Sequence, residues 1–291
     1  MATQWEAAIH MRTIRWIGAM LVAGSLAMPG RAEAAELKTE AVRGFDRYVQ
    51  LTEQRMQAEL RPGAAFLWMD AMPEAHRNSA YEQLQRGEVV SGRLKTRDSS
   101  SESYTPGALI HHWVGTVFIP GASLQQVLTL LEDYDHHAVY FGPEVVKSKT
   151  LEHTGNDFKA YLRLARKKIV TVVLDTEYEV HYEQLDAARV QSRSYSTRIA
   201  EVGHAGDPRE VQLQPGDDHG FLWRLNSYWR FFDTGRGVYV QCEAVSLTRD
   251  IPAGLAWLIA PFLESIPKES LEFTLLSTRA AVLGKISNAS Q

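Results

Sequence analysis

The stretch His219–Arg249, HGFLWRLNSYWRFFDTGRGVYVQCEAVSLTR, decides the fold. Its first half alternates. Phe221, Trp223, Leu225, Trp229 and Phe231 share one parity, and Leu222, Arg224, Asn226, Tyr228, Arg230 and Phe232 the other. Successive residues of a strand point to opposite faces, so this is a strand over 220–233 with one apolar face. Gly235-Arg236-Gly237 marks a turn. A second strand over 237–249 repeats the pattern, with Val238, Val240, Cys242 and Ala244 set against Tyr239, Gln241, Glu243 and Val245. Two such strands across a short glycine turn predict an antiparallel hairpin.

The same alternation extends upstream. Phe158, Ala160, Leu162 and Leu164 oppose Lys159, Tyr161 and Arg163, while Val170, Val172, Leu174 and Tyr178 oppose Thr171, Asp175 and Glu177. Further strands are predicted near 110–119, 144–152, 157–165, 169–182 and 189–201, with Asn156, Lys167-Lys168 and Asp186 at turns. Short connections favour a meander of hairpins over parallel crossovers. Apolar residues on one face and charges on the other predict a half-buried sheet, whose polar face carries Arg163, Asp175, Glu177, Arg224, Arg230 and Glu243.

Helices flank the strands. Pro120-Gly121 stops the first strand, and Ser123 suits the N-cap of a helix through Leu131. After an apolar crossover over 252–267 broken by prolines, a long helix is expected from Pro267 to Ile286. Leu271, Leu275, Thr278 and Val282 form one of its faces, and Phe273, Leu276, Ala280 and Leu283 another. A helix apolar over most of its circumference is expected to be buried on most sides. Strands in succession with helices set apart make an α+β domain.

The remainder is organised around this domain. Residues 11–34, MRTIRWIGAMLVAGSLAMPGRAEA, have a basic start, a short apolar run and small residues at Ala32 and Ala34. That is the pattern of a secretory signal peptide cleaved near Ala34, and Met11 makes a better start than Met1. Residues 35–103 read as a helical extension: Val42, Phe45, Val49 and Met56 share a face, Arg61-Pro62-Gly63 ends that helix, and Pro73 opens a second. The run 97–103, RDSSSES, reads as a linker.

Composition excludes several classes. The 291 residues are 45% apolar and 23% charged, an ordinary globular balance. Net charge is -4, so a nucleic-acid partner is not expected. Loss of residues 1–34 removes three arginines and two glutamates, which makes the balance one unit more acidic. The single cysteine, Cys242, leaves no internal disulfide and reads as a buried apolar residue.

The order of elements resembles the START-like (SRPBCC, helix-grip) superfamily over residues 104–287. The resemblance is carried by Ile110-His111-His112-Trp113-Val114-Gly115, Leu130-Leu131-Glu132-Asp133-Tyr134, Phe141-Gly142-Pro143-Glu144-Val145 and Cys242-Glu243-Ala244-Val245-Ser246-Leu247. It implies a curved sheet of about six to seven strands gripping the last helix, with a cavity for an apolar ligand or lipid. Ligand contacts would then come from Trp223, Leu225, Trp229, Phe231, Val240, Cys242, Phe273 and Leu276, with Trp257 and Phe262 in a lid. A packed turn over the core remains the alternative for that lid.

No motif for nucleophilic catalysis or phosphate binding is present. Adjacent His111-His112 and His136-His137 cannot chelate one metal simply, because strand neighbours diverge. No catalytic residue, metal or cofactor is therefore assigned. Three readings stay open: an exported monomer that binds a hydrophobic small molecule or lipid, a cyclase or aromatase-type enzyme using Arg163, Arg230 and Glu243, and a non-binding envelope scaffold. The basic hairpin end at Arg163, Arg166, Lys167 and Lys168 gives the first reading a point for transient membrane contact.

Overall fold

The computed structural model describes residues 37–61, 63–96, 105–167, 171–250 and 256–289, with the side chains of the last helix from 265 to 287. The signal-peptide segment, the linker 97–103 and the side chains of Trp257 and Phe262 lie outside the described residues.

The elements are helix α1 (Thr39–Glu59), helix α2 (Glu74–Gln85), strands β1 (Val90–Arg93) and β2 (Ala108–Pro120), and helices α3 (Leu124–Leu131) and α4 (His137–Tyr140). Strands β3 (Val145–Thr154), β4 (Asp157–Lys167), β5 (Thr171–Gln184), β6 (Arg189–Gly203), β7 (Val211–Gln212), β8 (Arg224–Asp233) and β9 (Gly237–Arg249) follow, then helix α5 (Ala256–Ala289). The sheet is antiparallel and unclosed, in the order β1-β2-β9-β8-β6-β5-β4-β3, with β7 beside β6. It curves around α5, as the expected helix-grip arrangement requires. Among the described residues its nine strands exceed the six or seven expected. The additions are β1, inside the segment read as helical, and the two-residue β7.

Local chemistry explains the element ends. Ser123 caps α3 as expected: its Oγ accepts from Gln126 N at 3.3 Å, while Gln126 Oε1 accepts from Ser123 N at 2.9 Å. Helix α1 ends at Glu59, before Arg61-Pro62-Gly63. Its buried stripe is Ala41, Phe45, Tyr48, Thr52 and Met56, with Val42 and Val49 at the flank. Two polar residues occupy the inner face because the surface beneath them is polar.

Helix α5 starts earlier than expected. It runs 34 residues, across Pro261 and Pro267, each of which removes one backbone donor. Leu271, Leu275, Thr278 and Val282 are buried against the sheet. Leu276 is 46% exposed, so α5 is not buried all round: an open sheet covers one stripe only. The helix comes close at Gly115 of β2, where a Cβ would stand 2.8 Å from Leu275 Cδ1. Only a residue without a side chain lets the helix lie so near.

Candidate functional site

The inner face of the sheet divides into a packed end and a hollow end. At the packed end, Phe231 and Val240 are cross-strand partners and both 0% exposed, sealed with Val117, Ile119 and Val127. At the other end lies a cavity of about 380 Å³. Small-molecule sites occupy roughly 300–1,000 Å³. The walls are mainly apolar, from Leu162, Leu164 and Val172 to Leu225, Trp229 and Cys242, with Leu271 and Phe273 from α5.

The expected contact residues therefore separate. Leu225, Trp229, Cys242 and Phe273 line the cavity. Phe231 and Val240 share their face but belong to the solid core beyond it. Leu276 points away from the sheet. Trp223 is on the opposite side, packed with Phe45 and Leu247 beneath α1, and its Nε1 donates to Asp218 at 3.0 Å. The reason is that β8 begins only at Arg224. Gly220, at φ 72°, turns the preceding segment, and a Cβ there would meet Arg249 and the Trp223 ring. The alternation read through 221–223 is broken, and Phe221 and Leu222 both reach the cavity instead.

Polar groups enter the lining at three places. First, Glu144 and Arg166 are its charged residues, and they pair with each other; Arg166 Nη2 also meets Glu269 Oε2 of α5 at 2.9 Å. Two arginines of the basic hairpin end are thus paired, since Arg163 also meets Asp175 and Glu210. Second, Tyr134 and Tyr182 hydroxyls lie 3.3 Å apart beside His137. His137 Nε2 donates to Leu131 O at 3.0 Å, which leaves Nδ1 as an acceptor. Desolvation outweighs that bond and lowers the His137 pKa to about 4, so the ring is neutral near pH 7. Third, Ser192, Ser194, Ser227, Ser246 and Thr248 form a hydroxyl-bearing wall with His111, whose Nε2 lies 3.0 Å from Thr248 Oγ1. Burial raises the Cys242 thiol well above its ordinary value, which keeps it protonated and inert.

The outer face corrects a second expectation. It is not solvated, because α1 covers its centre. Arg230, Glu243, Gln241 and His112 are 5%, 2%, 1% and 2% exposed. Tyr48 Oη accepts from Thr96 N at 2.8 Å and contacts His112 Nδ1 at 2.8 Å, so its proton goes to the imidazole. His112 Nε2 then donates to Glu243 at 2.6 Å, and Arg55 of α1 closes on the same carboxylate. Arg230 meets Glu59 Oε2 at 2.8 Å and donates to Phe66 O at 2.7 Å. Buried charges of this kind are tolerated because each is paired. A void of about 30 Å³ lies beside them, room for a water or two. The network fastens α1 to the sheet.

His111 and His112 diverge as expected, one into the cavity and one beneath α1. Asp133 and Asp135 serve the α3–α4 connection, accepting from Tyr140 Oη at 2.7 Å and Thr150 N at 2.8 Å. Among the described residues no cluster of three metal-ligating side chains occurs. The hydroxyl wall was missed in the sequence, although its signal was there: Ser192 and Ser194 share the parity of buried Val190.

A sheet wound on its C-terminal helix, with the hollow between them, is the helix-grip signature. This agrees with the helix-grip arrangement expected from the order of elements. Similar solved structures include a STAR-related lipid transfer protein of Xanthomonas axonopodis (18% identity, 66% of this chain and 98% of that one, TM-score 0.43) and the Zhui aromatase/cyclase of a Streptomyces species (17%, 63% and 97%, TM-score 0.40). Human STARD10 is similar at 10% identity over 71% of this chain and 80% of its own, TM-score 0.41. No family model and no curated protein matches the chain.

Proposed function

We propose that this protein binds and carries a hydrophobic small molecule or lipid in the cavity between the sheet and α5, after export from the cytoplasm. The observation that carries the reading is the cavity itself, about 380 Å³ with mainly apolar walls and its charged lining residues paired together. Such a hollow forfeits packing that a purely structural core would keep. That argues against the scaffold reading. The cyclase reading loses support because Arg230 and Glu243 lie under α1 and Arg163 is held by Asp175. Export is supported by the sequence of residues 11–34. Among the described residues no helix is long and apolar enough to cross a membrane.

The test is native mass spectrometry of the protein from an exporting host, with organic extraction. A processed N-terminus near Ala34 and a discrete added mass released as an apolar compound are expected. An apo mass that stays unchanged after incubation with an envelope-lipid extract would overturn the carrier reading.

A further inference from the structure

The cavity wall is not uniformly apolar. Ser192 (2% exposed), Ser194 (9%) and Ser246 (6%) are buried, face inward and line the hollow with Ser227. Among the described residues none of these four hydroxyls has a hydrogen-bond partner. They fall into a strip. Ser194 of β6 is the cross-strand partner of Ser227 on β8. Ser246 of β9 lies opposite Leu225 on one side and His111 on the other. The strip therefore crosses four neighbouring strands and ends at the His111–Thr248 pair.

Apolar side chains would fit these positions as well, since Leu225, Trp229 and Ala244 do so beside them. These hydroxyls open onto the hollow with free bonding capacity, so a polar group that enters the cavity can bond to them where an apolar wall would offer nothing. No charged residue stands on this part of the wall. Glu144 and Arg166 satisfy each other on β4 and the segment before β3, and His137 is neutral. A charged head would lie here without a counter-charge.

We infer that Ser194, Ser227 and Ser246 hold an uncharged hydrogen-bonding group of the ligand, an alcohol, ketone or ester on an otherwise apolar body. This rests on the carrier reading and narrows it: pure hydrocarbons and free carboxylates are excluded as preferred cargo. A hydroxyl can donate or accept, so the strip suits alcohols and carbonyls alike.

The experiment uses displacement of N-phenyl-1-naphthylamine by 1-dodecanol, dodecane and dodecanoate at pH 8. The wild type is expected to bind 1-dodecanol at least about tenfold more tightly than dodecanoate. Ser194→Ala/Ser227→Ala/Ser246→Ala is expected to weaken 1-dodecanol about tenfold and leave dodecane within about twofold. Its Tm should stay near that of the wild type, because the removed hydroxyls hold no other part of the fold. Should the triple variant not fold, the single Ser194→Ala and Ser246→Ala proteins give the same comparison. Dye uptake with unchanged 1-dodecanol affinity in the variants would overturn the subsite and leave the carrier reading standing. A wild type that takes up neither dye nor alcohol would overturn both.

Discussion

His112 Nε2 and Glu243 Oε1 lie 2.6 Å apart, each side chain 2% exposed, and Arg55 reaches the same carboxylate from α1. The pair joins neighbouring strands β2 and β9 beneath a helix distant in sequence. Glu243→Ala leaves an imidazole N–H buried without an acceptor and removes one of the ion pairs that hold α1 to the sheet. Removing one partner of a buried pair costs about 3–5 kcal/mol. Urea denaturation should show a loss of that order, with the cavity's dye uptake retained at low denaturant.

Gly115 sets the distance between β2 and α5. In Gly115→Ala the new methyl stands 2.8 Å from Leu275 Cδ1 and 3.3 Å from Leu271 Cδ2. Overpacking of a tight contact costs about 1–3 kcal/mol. Denaturation should register that loss, and a Gly115→Ala/Leu275→Ala double variant should lose less than the sum of the two single variants.

Two groups give stability a pH dependence in separate windows. Burial lowers the His137 pKa to about 4, so the unfolded chain takes up a proton first as pH falls. Stability is full above the ordinary histidine value of about 6.5 and declines towards pH 4 by up to about 3 kcal/mol. Asp175 behaves as a carboxylate gaining partners. Burial alone would raise its pKa, but bonds from Arg163, Tyr161 and Gln212 outweigh that and hold it at about 2. Its contribution is present above about pH 4 and is lost between there and pH 2. Stability measured by urea from pH 8 to 3 should lose the upper slope in His137→Gln and the lower one in Asp175→Asn.

Filling the cavity separates binding from folding. Ala244 lines the hollow between Cys242 and Ser246. Ala244→Phe should occupy much of it and cut dye uptake at least about tenfold, while Tm changes by only a few degrees. Fluorescence titration beside a thermal melt checks both.

Much of the architecture is legible along the chain. The strands from 110 to 249, the Ser123 cap and the last helix follow from local alternation and turn residues, because strand parity and capping are decided by near neighbours. Of the site, Leu225, Trp229, Cys242 and Phe273 were readable as inward residues for the same reason. Trp223 was not, since Gly220 and the late start of β8 shift the parity of the preceding segment. Leu276 was not, since the helix pattern does not say how far an open sheet reaches around it.

The sequence by itself determined which residues alternate, where strands turn and that one face of the sheet is apolar. The tertiary structure alone decided what covers each face. Helix α1 lies far from β8 and β9 in the chain, so nothing local marks Arg230 and Glu243 as buried partners of Glu59 and Arg55. The boundary between solid core and hollow is likewise a matter of packing: Phe231 and Trp229 are two residues apart on one strand face, yet α3 seals the first while the second borders open space. Side-chain parity is a property of the backbone, whereas filled volume depends on which distant elements meet above it.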